Sequence, residues 1–289
     1  MDRRNVNRLP GWLKKEKLNL KELHKVKKTL RDNQLHTVCE SAMCPNRGEC
    51  FRKGTATFLL LGNVCTRNCG FCSVSTGKPA PPDPREPERV AETVREMGIR
   101  YAVLTMVTRD DLPDGGASLV AETVRSIHRL GNTRIEVLVS DFAGNNDALD
   151  TILDSPIDVF NHNIEMAPSL YRRVRPRADY EQSLRVLKRA ADRDTVPVKS
   201  GFMVGLGESF GELESLMSDL RKAGVSILTI GQYLRPTMNN EPVEKYWSPE
   251  EFQELEAQAR GMGFPHVFAG PLVRSSYMAD TLFGELNRV

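Results

Sequence analysis

Residues 57–72 read TFLLLGNVCTRNCGFC, an apolar run that leads directly into three cysteines. A short apolar run of this kind is typical of a strand that is buried on both faces. Cys65, Cys69 and Cys72 therefore belong to the loop that leaves the carboxyl end of this strand. In parallel barrels, that end of the strands carries the active site.

Downstream of the cysteines, strand-like runs alternate with segments of helical periodicity. Segments 88–97, 119–130 and 211–223 place apolar residues at i, i+4 and i+7, and a glycine follows each of them. Regular alternation favours a parallel sheet with helices outside it. Six units fall short of the eight, or about 250 residues, of a full barrel. The sequence thus predicts an α/β fold, an incomplete (β/α)6 TIM-like barrel, with strands at 57–62, 101–107, 135–139, 159–164, 196–204 and 226–233.

All six cysteines lie between Cys39 and Cys72, in two groups of three. The chain has no apolar stretch long enough to cross a membrane and no secretory signal at its start, so we expect a cytoplasmic protein without a membrane partner. In that compartment, clustered cysteines indicate metal binding rather than disulfides. The upstream group is C-x4-C-x5-C and the downstream group is C-x3-C-x2-C, with ligand candidates Cys39, Cys44, Cys50, Cys65, Cys69 and Cys72.

The downstream group favours an iron–sulfur cluster with one open iron. Such clusters normally take four cysteines, so three leave one coordination position unfilled. An open position distinguishes a reactive metal centre from a structural one. A structural zinc loop is the alternative, although zinc loops usually contain paired C-x2-C units.

The C-x3-C-x2-C loop after a first strand resembles that of the radical S-adenosylmethionine (SAM) enzymes. The resemblance implies that the open iron binds SAM, which is cleaved reductively to a 5′-deoxyadenosyl radical that abstracts hydrogen from carbon. It also implies that Phe71 lies near the adenine, with simple packing beside the cluster as the alternative.

The upstream triplet, with RLPGWLK at 8–14, FCSVSTGKP at 71–79 and RSSY at 274–277, is similar to the lipoyl synthase family. The resemblance implies two [4Fe–4S] clusters, the second held by Cys39, Cys44, Cys50 and Ser275 and serving as the sulfur source. A serine oxygen is a weak ligand for iron, which suits a cluster that must be dismantled. From the residues alone, Ser275, Ser276 and Tyr277 are equivalent candidates. Arg274 would gate or orient the serine.

These resemblances imply a division into three parts. Residues 1–54 form an N-terminal extension with the auxiliary-cluster cysteines, residues 55–235 form the partial barrel, and residues 236–289 form a C-terminal extension with the RSSY motif.

Polar residues and glycines at the predicted strand ends are candidate SAM contacts. The NHNIE segment places Asn161, Asn163 and Glu165 on one side, whereas His162 faces the other way and is expected to be packed. Gly205 and Gly207 favour a close approach to adenine or ribose, or plain turn chemistry. Arg173 and Arg175 are carboxylate partners or exposed basic residues. The predicted cofactor-binding set is Phe71, Asp114, Gly115, Gly116, Asn163, Glu165, Arg175 and Gly205.

The family resemblance also implies the reaction and the partners. The substrate is an octanoyl group on a lysine of a lipoyl carrier domain, of the 2-oxoacid dehydrogenase or glycine cleavage H protein type, and sulfur enters at carbons 6 and 8. A one-electron reductant such as ferredoxin or flavodoxin serves a monomeric enzyme. Alternatives are a sulfur inserter of the biotin synthase type and a non-catalytic iron–sulfur or zinc scaffold.

Charge is concentrated at the N-terminus. Residues 1–35 carry 11 Lys and Arg against four Asp and Glu, on a chain of net charge +2. The segment is either a docking surface for an acidic carrier or a solvated helix face. We expect no nucleic-acid partner, because the basic residues are confined to one end and no aromatic-interleaved platform is present.

Overall fold

The computed structural model describes residues 9–13, 28–38, 46, 50 and 55–276. One eight-stranded sheet runs in the order β1-β2-β5-β6-β7-β8-β9-β10, and β3 and β4 form a separate ribbon. All neighbours from β2 to β10 in the large sheet are parallel, while β1 is antiparallel to β2. The strands are β1 His36–Thr37, β2 Thr55–Leu60, β3 Val64–Cys65, β4 Ser75–Thr76, β5 Tyr101–Met106, β6 Arg134–Leu138, β7 Val159–Asn161, β8 Val198–Val204, β9 Ile227–Gln232 and β10 His266–Gly270.

The α/β class and the partial barrel are confirmed. Each of the six predicted strands is present, and β10 adds a further parallel strand beyond them, paired with β9. Strands β1 and β10 stand at the two ends of the strand order, so the barrel is open. The division at 54/55 and 235/236 stays a prediction, although β1 and β10 pair with barrel strands from outside its limits.

Helices connect successive parallel strands and cover the outer face of the sheet. The three predicted helices are confirmed to within two residues at each end, and their apolar stripes, such as Val120, Val124 and Ile127, are buried. Two helices begin with a capping box, at Ser209 and at Ser248. Within the described residues, none is long and apolar enough to span a membrane. The helices are Glu86–Glu96, Ala117–His128, Asn146–Leu153, Tyr171–Val174, Tyr180–Asp192, Phe210–Lys222 and Pro249–Gly261, with 3-10 turns at Gly11–Leu13, Phe142–Gly144 and Pro168–Leu170.

A buried polar cluster around Glu136 joins four neighbouring parallel strands, β5 to β8. The Lys199 ammonium lies 3.0 and 2.9 Å from the two carboxylate oxygens of Glu136, across the intervening strand β7. The same carboxylate accepts hydrogen bonds from the Tyr101 hydroxyl at 3.0 Å and the Asn161 amide at 2.7 Å. Charges this deep are tolerated only when paired and hydrogen-bonded. Asn161 is thus committed to the cluster, which leaves the carboxyl end of the strands for a site.

Candidate active site at the strand ends

The loop that carries Cys65, Cys69 and Cys72 lies at the carboxyl edge of the sheet. Cys65 closes the short strand β3, and Cys65, Cys69 and Cys72 are all half-buried. The backbone N–H groups of Arg67 and Val74 point at the sulfurs of Cys65 and Cys72, both at 3.4 Å. Hydrogen bonds to cysteine sulfur are a feature of iron–sulfur sites, where they tune the reduction potential. Within residues 55–276, no three His, Cys, Asp or Glu side chains group closely enough to hold a single metal ion.

Burial disfavours the charged form of two of these thiols, Cys69 and Cys72. Burial raises the pKa of Cys72 to about 11. Burial also raises the pKa of Cys69, and the positive charge of Arg175 partly offsets this. A bound metal deprotonates such thiols outright. Three half-buried thiols, one of them beside a guanidinium, therefore fit an anionic iron–sulfur cluster.

Arg67 anchors the cysteine loop to the sheet. Its guanidinium donates to Asp110 at 3.0 and 2.8 Å and to Asp141 at 3.0 and 2.7 Å. Both aspartates follow neighbouring strands, β5 and β6. The sequence reasoning missed this residue, although its place between two cysteine ligands was a usable signal.

Downstream segments brace the same loop from the other side. The Asn240 amide donates to the carbonyl oxygens of Cys72 at 2.8 Å and Gly70 at 3.2 Å. The N–H of Gly70 donates to the carbonyl of Val174 at 2.7 Å. Asn240 was also missed, and its TMNNEP segment carries no signal that distinguishes it from an ordinary turn.

Four predicted site residues meet at the mouth of the barrel lumen. Asn163, Glu165, Arg274 and Ser275 line a cavity of about 80 Å³ together with Met203 and Thr229. The amide Nδ2 of Asn163 donates to the hydroxyl of Ser275 at 3.2 Å. The structure therefore joins the end of β7 to the RSSY segment, 112 residues further along the chain.

Arg175 turns inward toward this mouth. Its guanidinium donates to the Ile164 carbonyl at 3.2 Å and stacks over the Tyr171 ring at 5.1 Å. Burial raises the pKa of Glu165, and Arg175 opposes that shift. The Nε of Arg175 and the Oδ1 of Asn163 are buried, and neither has a hydrogen-bond partner among the residues that the structure describes. One buried donor and one buried acceptor without partners fit a site that receives a zwitterionic ligand, such as the methionyl end of SAM.

The Asp114-Gly115-Gly116 turn lies elsewhere on the rim. Asp114 accepts from the backbone N–H groups of Gly116 and Ser118, each at 2.9 Å, and so caps the helix Ala117–His128. Burial works against it, yet these hydrogen bonds hold the pKa of Asp114 below its usual value. Gly116 has φ +89°, and a Cβ there would lie 2.3 Å from the Leu61 side chain. Gly115 lines a separate cavity of about 330 Å³.

The remaining predicted positions have ordinary structural contacts. The N–H of Gly205 donates to Glu208 at 2.5 Å, and a Cβ at Gly205 would lie 2.5 Å from the Lys245 carbonyl, so turn and packing chemistry account for this glycine. Phe71 packs against the core. His162 is buried, with Nδ1 2.9 Å from the Val139 carbonyl, as expected for a packed histidine. Arg173 is exposed and donates to the Leu206 carbonyl.

The upstream triplet is only partly described. Cys39, Cys44 and Tyr277 lie outside the described residues. The backbone N–H of Cys50 donates to the carbonyl of Asn46 at 3.0 Å. Asn46 is buried, and its Nδ2 donates to the carbonyl of Leu272 at 2.7 Å, across 226 residues. The segment that carries Cys50 therefore lies against the segment that leads to Ser275.

Comparison with known proteins agrees with this geometry. Residues 59–220 match the model of the radical SAM superfamily, and residues 1–44 match that of the N-terminal domain of lipoyl synthase. The lipoyl synthase of Rubrobacter xylanophilus is 54% identical over 272 residues, which cover 93% of this chain and 85% of the relative. The chain belongs to the lipoyl synthase family of radical SAM enzymes.

A second lipoyl synthase, from Pectobacterium carotovorum, is 50% identical over 283 residues, covering 96% of this chain and 88% of the relative. Among solved structures, Streptococcus suis SuiB bound to S-adenosylmethionine has a TM-score of 0.57 at 9% identity, covering 83% of this chain and 51% of that one. The chain thus spans about half of SuiB, and that likeness shows the fold alone. As in its family, SAM and [4Fe–4S] clusters are the cofactors of this chain.

Proposed function

We propose that this lipoyl synthase family member inserts sulfur at carbons 6 and 8 of an octanoyl group carried on a lysine of a lipoyl carrier protein. The hydrogen bond from Asn46 to Leu272 carries the proposal, because it brings the segment of the upstream cysteines to the segment of Ser275. Asn163 then links Ser275 to the strand end beside Glu165. Ser275 therefore lines the same cavity as Asn163 and Glu165, the predicted contacts of SAM, which supports coupled radical formation and sulfur donation.

The cysteine spacing and the family resemblance support one set of ligands for each cluster. Cys65, Cys69 and Cys72 bind the cluster that contacts SAM. Cys39, Cys44, Cys50 and Ser275 bind the auxiliary cluster. When bound, these groups supply one-electron reduction, hydrogen-atom abstraction and the sulfur atoms.

The protein's own side chains position SAM and exclude water. Asn163, Glu165 and Arg175 face the polar end of SAM at the lumen mouth. Phe71 lies beside the adenine, and the backbone of the Gly115, Gly116 and Gly205 turns contacts SAM from the rim of the barrel. Asp114 holds the first of these turns by its contact with Gly116. Arg274 orients Ser275 from the adjacent position.

In this proposal the protein acts as a monomer in the cytoplasm. The carrier docks on the basic segment of residues 1–35, and a ferredoxin or flavodoxin supplies single electrons. Attraction between a basic segment and an acidic carrier accelerates encounter and weakens with added salt.

Anaerobic turnover tests the proposed reaction. The reconstituted protein is incubated with SAM, dithionite and an octanoyl-lysine peptide, and 5′-deoxyadenosine and a peptide heavier by two sulfur atoms are expected. Deoxyadenosine formed without any sulfur gain by the peptide would overturn the proposal. Metal analysis separates it from a scaffold role, because two cubane clusters require about eight irons and about eight sulfides per chain.

A further inference from the structure

The chain turns sharply after β10 and runs back over the lumen mouth. The N–H of Val273 donates to the carbonyl of Gly270 at 3.1 Å and closes this turn. Residues 271–276, called the strap below, are half-buried and include Arg274 and Ser275. The path of the strap therefore fixes where Ser275 lies.

A glycine of the barrel provides the space in which the strap lies. Gly231 of β9 pairs with Gly270 of β10 on one side and with Met203 of β8 on the other. A Cβ at Gly231 would lie 2.3 Å from the carbonyl oxygen of Val273. Real Cβ atoms do not approach backbone that closely, so any side chain at this position displaces the strap. At Gly270 the corresponding neighbour is only the flexible Val273 side chain, at 3.3 Å.

Two side chains fix the strap on either side of that contact. Before it, Asn46 donates to the carbonyl of Leu272 at 2.7 Å. After it, Asn163 donates to the hydroxyl of Ser275 at 3.2 Å. The strap is thus tied at both ends and rests on Gly231 in between, which leaves Ser275 little freedom to relocate.

We infer that Gly231 is a positioning residue, which seats the strap so that Ser275 reaches the auxiliary cluster while the site of SAM cleavage is unaffected. This rests on the proposed function. Gly231 contributes no group to the reaction. Its role is to let the Val273 backbone lie against the end of β9.

Replacing Gly231 with alanine tests the inference. We expect Gly231→Ala to form 5′-deoxyadenosine within about twofold of the unsubstituted protein, whereas lipoyl product falls by about tenfold or more, because small displacements of a reacting group are costly. Hydrogen–deuterium exchange of a peptide spanning 271–276 gives a readout independent of turnover. That peptide is expected to exchange faster in the variant.

A second variant loosens the strap from outside the barrel. Asn46→Ala removes the hydrogen bond to Leu272 without adding atoms to the sheet, and it decides the question if Gly231→Ala fails to fold. The same uncoupling, with faster exchange over 271–276, is expected. Gly211→Ala is the matched control, since no atom of the described part of the chain lies within 4 Å of a Cβ placed there.

Two results would overturn the inference. In one, the ratio of lipoyl product to deoxyadenosine and the exchange of the strap are unchanged in the variants. In the other, deoxyadenosine and product fall together, which would place the effect of Gly231 on SAM cleavage. Failure of the proposed function itself is distinct, because the unsubstituted protein would then give no sulfur-containing product.

Discussion

Arg67 is bound to Asp141 by two parallel hydrogen bonds of 3.0 and 2.7 Å, although 74 residues separate them. Both side chains are buried, at 7% and 2% exposure. Since Arg67 stands between the ligands Cys65 and Cys69, this contact fixes the cluster loop to the end of β6.

Removing the Arg67 guanidinium is expected to weaken both the fold and the cluster site. In Arg67→Gln, Asp141 becomes a buried charge without its partner, a change that costs about 3–5 kcal/mol. Urea unfolding and the iron content after reconstitution measure the two effects. The control is Arg125→Gln, whose exposed pair with Glu122 contributes about 1 kcal/mol or less. Equal stability of the two variants would contradict the assigned role of Arg67.

The buried polar cluster around Glu136 leads to a similar prediction for Lys199. In Lys199→Met, the carboxylate of Glu136 loses the ammonium with which it is paired and stays buried. We expect a loss of about 3–5 kcal/mol in the free energy of unfolding. The double variant Lys199→Met with Glu136→Gln is expected to recover part of this, because no charge is then buried. A single variant as stable as the parent would show that the ion pair is unimportant.

His162 makes stability depend on pH. Burial lowers the pKa of His162 from 6.5 to about 4. The unfolded chain therefore binds a proton that the folded chain excludes, so stability is lost as pH falls from about 6.5 toward 4, by about 3 kcal/mol in total. Unfolding free energies across this range measure the effect. In His162→Gln the pH dependence over this window is expected to be shallower, and an unchanged slope would refute the assignment.

The basic N-terminal segment is tested by charge reversal. Lys14, Lys15, Lys25 and Lys27 lie outside the described residues and are changed to Glu together. Turnover on an acidic carrier protein is expected to slow and to lose its salt dependence, while turnover on a short octanoyl-lysine peptide is unchanged. If turnover on the carrier stays at the parental rate at every salt concentration, the docking role is wrong.

Local patterns were sufficient for most of the barrel. Buried parallel strands are contiguous apolar runs, and the helices between them show clear periodicity, so both were predicted close to their observed limits. Strand β10 was missed because HVFAG is only five residues long and ends in Ala and Gly, which favour strands weakly. Such a strand is recognisable only from the neighbour it pairs with.

The sequence indicated candidate residues for the site, but not the direction in which each side chain faces. Parallel strands bring their carboxyl ends to one edge, and Asn163 and Glu165 at such an end line the same cavity as Ser275, which was chosen from the family resemblance. Spacing does not reveal on which side of its loop a residue faces. Asp114 illustrates this limit, since an aspartate before a helix is equally suited to capping, and capping is the contact observed.

The contacts that hold the cysteine loop become available at different times during protein synthesis. Asn240, which binds the carbonyl of Cys72, is 168 residues further along the chain. At about 5–20 residues per second, the ribosome needs on the order of ten to thirty seconds to add that stretch. Asp110 and Asp141, the partners of Arg67, are synthesised earlier, so the loop can be anchored on one side well before Asn240 is available to brace the other.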